Sequence, residues 1–180
     1  MTRRCPRADD HTHDVQIRST ADPQTGAAAC LLDWGPAVQA LLTPDVVLTT
    51  ARDLMAAAAH AEADIALITL LRTKPAMDWH AIGVMLREIR AQRPAPTGKT
   101  ALRIEAVAGA RTGRALVHIG RGSMKGELDP AEARQMAQHW TEAAVAAQID
   151  VRLRYVLGEW DRLSRAEIDE LFRLLQAVQR

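Results

Sequence analysis

Residues 43–93 recur as residues 129–179, without a gap, at a shift of 86 positions. Under that shift Leu42 falls on Leu128, Pro44 on Pro130, Ala51 on Ala137 and Ala58 on Ala144. Further along, Asp64 meets Asp150, Leu67 meets Leu153, Ile82 meets Ile168 and Arg87 meets Arg173. An internal repeat constrains a fold more than any local propensity does, because one structure must suit both copies.

Each copy opens a helix with the same punctuation. Thr43-Pro44 and Asp129-Pro130 place a capping side chain before a proline at the first helical position. The missing N–H costs nothing there, and the fixed φ already suits a helix. Glu132 stands near the positive helix N-terminus, where an acid is favoured. The following runs, 56–59 and 143–147, are rich in alanine, which predicts a helix that another element approaches closely. Each run is long, so a bend is expected near Asp64 and Asp150. A second helix then starts at Asp78 in one copy and Ser164 in the other, where Ser164-Arg165-Ala166-Glu167 forms a capping box. Met77 with Ile82, and Leu163 with Ile168, take the staple positions of those helices. Ile82, Met85, Leu86 and Ile89 recur at helical spacing, as do Ile168, Leu171, Phe172 and Leu175. Leu171, Phe172, Ile82 and Leu86 are expected to be buried against the preceding helix.

Ahead of the helices the correspondence continues at a shift of 87 positions. Residues 15–19 and 28–34 flank a turn with Asp22-Pro23 and Thr25-Gly26; residues 102–107 and 115–120 flank one with Gly109 and Thr112-Gly113. Both read as hairpins with loops longer than two residues. A third strand follows at 38–42 and 124–128. The chain is therefore expected to be an α+β fold made by tandem duplication of a β-β-β-α-α unit, pseudo-two-fold, with about six strands and four helices. Its expected organisation is a disordered tail (1–14), a first repeat (15–93), a linker (94–101) and a second repeat (102–180), fused into one domain that shares a core.

Composition sets limits on function. A net charge of +1 gives no global attraction to nucleic acid or membrane. Residues 1–14 lack the apolar core of a signal peptide, and no uninterrupted apolar run is long enough to span a bilayer. With Cys5 and Cys30 as the only cysteines, a reducing, cytoplasmic setting is expected.

Four constellations carry chemical potential. Thr97-Gly98-Lys99-Thr100 resembles the end of a phosphate-binding loop, but Arg93 stands where the loop needs glycine, and a helix precedes where a strand is required. A linker turn is the plainer account. His11 and His13, with Cys5, Asp9, Asp10 and Asp14, have metal-ligating types in a tail that does not hold a fixed geometry. Asp64 and Asp150 are a repeated acidic pair. They either meet near the pseudo-two-fold axis, as paired acids do in some active sites, or serve as a helix bend or an ion pair with an arginine. Between Arg90 and Lys125 lie eight basic residues against the single acid Glu105. Of these, Arg103, Arg111, Arg114, Arg121 and Lys125 are the nucleic-acid candidates, set against a solvated sheet face. No aromatic residue lies in that stretch, which argues against base stacking. No catalytic, cofactor-binding or metal-binding set emerges, and Trp34, Trp79, Trp140 and Trp160 read as core or junction anchors.

The stretch 115–144, ALVHIGRGSMKGELDPAEARQMAQHWTEAA, resembles small proteins of unknown activity from actinobacterial phages and integrative elements. In those, a strand, an Arg-Gly turn and an L-x-P-x-E-A-R helix start recur. The resemblance implies a mobile-element setting and no residue roles. The expected function is a non-enzymatic binding module whose partner is another protein or a second copy. The alternative is a nucleic-acid-binding accessory protein using residues 90–125, and the third reading is an enzyme with its site at the pseudo-two-fold interface. No cofactor and no membrane contact are implied.

Overall fold

A computed structural model describes residues 15–35, 38–73, 77–94, 97–109, 112–159 and 163–178. The expected tail, with Cys5, His11 and His13, lies outside the described residues, as do Arg111 and Trp160. The fold is α+β. Strands β1 (Val15–Ala21), β2 (Ala28–Trp34) and β3 (Val38–Leu42) precede helices α1 (Pro44–Thr73) and α2 (Trp79–Ala91). The same order then runs again: β4 (Arg103–Gly109), β5 (Arg114–Arg121), β6 (Met124–Leu128), α3 (Pro130–Glu159) and α4 (Arg165–Val178). Each strand trio forms its own antiparallel sheet, in the order β1-β2-β3 and β4-β5-β6.

Local chemistry accounts for the boundaries. Asp22 Oδ1 accepts from the Gln24 and Thr25 amides at 2.8 and 3.3 Å, and Gly26 closes the first hairpin at φ 71°. Gly113 does the same for the second at φ 68°, a conformation that costs other residues more. Asp78 Oδ1 accepts from the Ala81 amide at 2.8 Å to cap α2. At α3 the box is reciprocal. Asp129 Oδ1 accepts from the Glu132 amide at 2.9 Å, and Glu132 Oε2 accepts from the Asp129 amide at 2.8 Å. Ser164 and Glu167 repeat the exchange at α4.

The long helices pack on each other. The Arg134–Glu62 ion pair sets the first turns of α3 beside the middle of α1, while Gln138 and Thr141 share a groove with Leu48 and Met55, so the two run antiparallel. Ala51, Ala58, Ala61, Ala137, Ala144 and Ala147 are buried, and their small side chains allow the close approach anticipated from the alanine runs. The sheets are exchanged. β4 and β5 lie chiefly on α1, whereas β1 and β2 lie chiefly on α3. Cys30 of β2 donates its thiol to the Ala143 carbonyl of α3 at 3.7 Å. One core therefore draws on both halves: Leu32, Trp34, Val47 and Leu54 with Val117, Leu128 and Trp140.

Both long helices run unbroken through Asp64 and Asp150. Helix α1 has the length and apolarity of a membrane span by composition, but Val47, Leu54, Ala58 and Ala61 are fully buried against protein. In the short helices Ile82, Leu86 and Phe172 are buried as expected. Among the described residues each helix buries two large side chains, Ile82 and Leu86 in α2 and Ile168 and Phe172 in α4. Leu171, expected inside, is 40% exposed. Each short helix packs chiefly on a single long helix, so only one edge of its apolar stripe is covered.

Candidate interaction surface

The basic segment comes apart when its residues are placed. Arg90 and Arg93 belong to Asp64, whose carboxylate is buried. Arg90 donates to Asp64 Oδ2 from Nε at 2.9 Å, and Arg93 binds both oxygens. Arg121 lies on the core side of its sheet, opposite Met124, and donates to the Ala101 carbonyl at 2.5 Å. Arg103 and Lys125 share the outer face, because both are in register with Gly120. The next outward row is Glu105, His118 and Glu127, in which His118 Nε2 is 3.0 Å from Glu127 Oε1. Arg114 stands at the far end of β5, about 20 Å along the strand from that basic pair. Two acids thus separate the outward cations, and the track a phosphate backbone would follow is interrupted. Lys99 is exposed in a turn that leads into β4 rather than into a helix, which leaves the phosphate-loop geometry unmade.

The linker is held by buried bonds. Thr50 Oγ1 donates to the Val46 carbonyl at 2.7 Å and accepts from the Ala101 amide at 2.8 Å. Ala101 and Leu102 are buried at this crossing.

Asp64 and Asp150 differ in surroundings. Asp64 is saturated by its two arginines. His60 lies near the same cluster, and burial, with repulsion from Arg93, lowers its imidazole below the ordinary value against the pull of Asp64. Under the 86-residue shift Arg90 and Arg93 fall on Gln176 and Gln179. No hydrogen bond or ion pair reaches Asp150 among the described residues, and burial raises its carboxyl above the usual range against the pull of Arg154. Arg154 is committed elsewhere, paired with Asp169 and stacked 4.2 Å over the Phe172 ring.

Over the α1–α3 crossing lies an open groove lined by Leu48, Arg52, Met55, Gln138, Thr141 and Glu142 among others. It contains neither Asp64 nor Asp150 and brings no nucleophile together with a base. Among the described residues, the groups whose titration burial chiefly displaces, Cys30, Asp53, His60 and Asp150, sit on different stretches of β2, α1 and α3.

What the fold leaves unusually bare is apolar. On the outer side of α3, Val145, Ile149, Leu153 and Val156 are 44 to 48% exposed. Tyr155 is 70% exposed, and Leu174 and Leu175 of α4 are 51% and 47% exposed. At the other end Val84, Met85 and Ile89 of α2 and Leu70 of α1 are also open. Trp79 is 45% exposed beneath the Arg72 guanidinium, 4.3 Å from its centroid, so it does not seal the helix junction as a core anchor would. Of the aliphatic residues, sequence reasoning placed Met85, Ile89 and Leu175 on apolar stripes and gave the others no position. The sign of a different role was the recurrence of 145, 149 and 156 on the face of α3 opposite its buried alanines.

No protein-family model, curated protein or solved structure matches the chain.

Proposed function

We propose that the protein is a non-enzymatic binding module, built by duplication as an intramolecular pseudodimer, that engages a protein partner through the apolar outer faces of its helical ends. The observation that carries this reading is the exposure of large aliphatic side chains along α3 and α4, while the inner sheet faces are closed by the shared core. Clusters of this kind on a folded chain mark association surfaces. Exchange of the sheets between halves supports the pseudodimer, since neither half closes its core without the other's helix. The nucleic-acid alternative is weakened by the loss of Arg90, Arg93 and Arg121 to internal partners and by the Glu105 and Glu127 row. A mobile-element origin and a cytoplasmic setting are consistent with this module and belong to the same proposal.

The test is photo-cross-linking in the native host, with a photoreactive residue placed singly at Tyr155, Leu174 or Lys125. The expected result is a discrete protein adduct from Tyr155 and Leu174 and none from Lys125. A nucleic-acid adduct from Lys125 alone would overturn the proposal.

A further inference from the structure

We infer that the partner of the α3 face is a second copy of this chain, docked with α3 antiparallel to its counterpart across a two-fold axis that passes between Val145 and Ile149; this inference rests on the binding-module reading above. The outer row of α3 runs Gln138, Glu142, Val145, Ile149, Arg152 and Val156, spaced alternately four and three residues apart. That spacing is the seam of a paired helix. All six lie at exposed positions of the isolated chain.

In an antiparallel pair each position of one seam type faces the other type on the partner. The register that matches them throughout places Val145 against Ile149 of the second copy and Gln138 against Val156. It also brings Glu142 opposite Arg152, and the two-fold axis makes that charge match twice. No other in-phase register pairs the acid with the base at both ends. Within one chain Arg152 forms no ion pair among the described residues, and Glu142 accepts only from Gln138 Nε2, at 2.8 Å. Its charge is therefore available.

A second observation points the same way. Under the 86-residue shift Glu142, Val145, Ile149 and Arg152 fall on Ala56, Ala59, Ala63 and Ala66 of α1, all exposed. The corresponding face of α1 is thus a bare alanine row, and only α3 carries an apolar centre flanked by complementary charges. Solvation alone asks for no such centre, since exposed helical positions are served equally well by alanine or charge.

The experiment is sedimentation equilibrium on the full chain and on four variants: Glu142→Arg, Arg152→Glu, the two reversals combined, and Ile149→Lys. A single helix pair buries less than the roughly 800 Å² per partner of a standard interface, so a dissociation constant on the order of 10 μM is expected. Each single reversal sets like charges opposite one another and should weaken the dimer by about tenfold or more. The combined reversal should recover it to within about threefold, and Ile149→Lys should abolish it, because an unpaired ammonium would then sit at the seam. Because every substituted side chain is exposed, circular dichroism should be unchanged, as should melting at concentrations well below the dissociation constant. A chain that stays monomeric, a dimer indifferent to the single reversals, or a combined variant that fails to recover would each overturn the inference. If the chain is monomeric while Tyr155 and Leu174 still cross-link to a different protein, self-docking fails and the binding-module reading survives. If the chain is monomeric and no adduct forms, both fail.

Discussion

Replacing Asp64 with alanine is expected to cost far more stability than replacing its sequence counterpart Asp150. Asp64 has a side chain only 1% exposed, and both its oxygens are occupied by Arg90 and Arg93, whose side chains are 42% and 19% exposed. Removing one partner of a fully buried pair costs about 3–5 kcal/mol, because the remaining charge is left without compensation. Here the remaining charges are guanidinium groups that reach solvent, Arg90 more than Arg93, so rehydration offsets part of the penalty. The expected loss is about 2–3 kcal/mol, or roughly 5–10 °C in melting temperature for a chain of this size. Arg93→Ala should cost more than Arg90→Ala, since Arg93 is the more buried and contacts both oxygens. In a double-mutant cycle Asp64 and Arg93 should couple by about 1–2 kcal/mol.

Asp150 is the internal control. Burial raises its carboxyl above the ordinary 3.8, so the folded chain holds that proton more tightly than the unfolded chain does. The group therefore contributes stability below the unfolded value, and this contribution is lost as pH rises through the folded one. At neutral pH its charge is a cost. Asp150→Asn should leave the protein unchanged or raise its melting temperature at pH 7, with the advantage shrinking in acid. Thermal melts of the four single variants at pH 7 and pH 4 decide the matter. An Asp64→Ala loss below about 0.5 kcal/mol, or equal costs at the two aspartates, would refute the account of a buried clamp present in one half alone.

Phe172→Ala should destabilise by about 3–4 kcal/mol in urea titrations, because it removes one of two buried anchors of α4 and the platform beneath Arg154. Thr50→Val should cost about 1–3 kcal/mol by orphaning the Ala101 amide, and hydrogen exchange at Ala101 should accelerate accordingly. Cys30, with its thiol pushed up to about 11 by burial, should resist thiol reagents at pH 8 in the native state and react at once in denaturant. Duplex DNA titrated at low salt should show no steep salt-dependent affinity, and a slope near 0.9 log units per phosphate contact, lost in Arg103→Ala/Lys125→Ala, would reverse that expectation.

Much of the fold was legible because its rules are local. A proline after Thr43 or Asp129 starts a helix, Ser164 with Glu167 makes a box, and Gly26 and Gly113 permit left-handed turns; each needs only neighbours in sequence. Strands β3 and β6 fall where the repeat placed them. The candidate surface was less legible. The basic tally between Arg90 and Lys125 was correct as arithmetic. Arg90 and Arg93, however, are spent on Asp64, 26 and 29 residues away, and Arg121 points to the core. Leu171 shows the opposite error, since periodicity identifies an apolar face and says nothing of how wide the covering element is.

By itself the sequence determined the elements, their order and the faces they present, because capping, turn geometry and side-chain period act within a few residues. Only the tertiary structure decided which helix each sheet covers. The inner faces of β1-β2 and of β4-β5 are both largely apolar, with Cys30, Leu32 and Trp34 on one and Val117 and Ile119 on the other, and burial is non-directional, so either would satisfy α1 or α3 in isolation. The exchange arises once the antiparallel pairing of α1 with α3 sets the available space. That pairing also leaves Val145, Ile149 and Val156 on the outside, where residue type alone would have put them in the core.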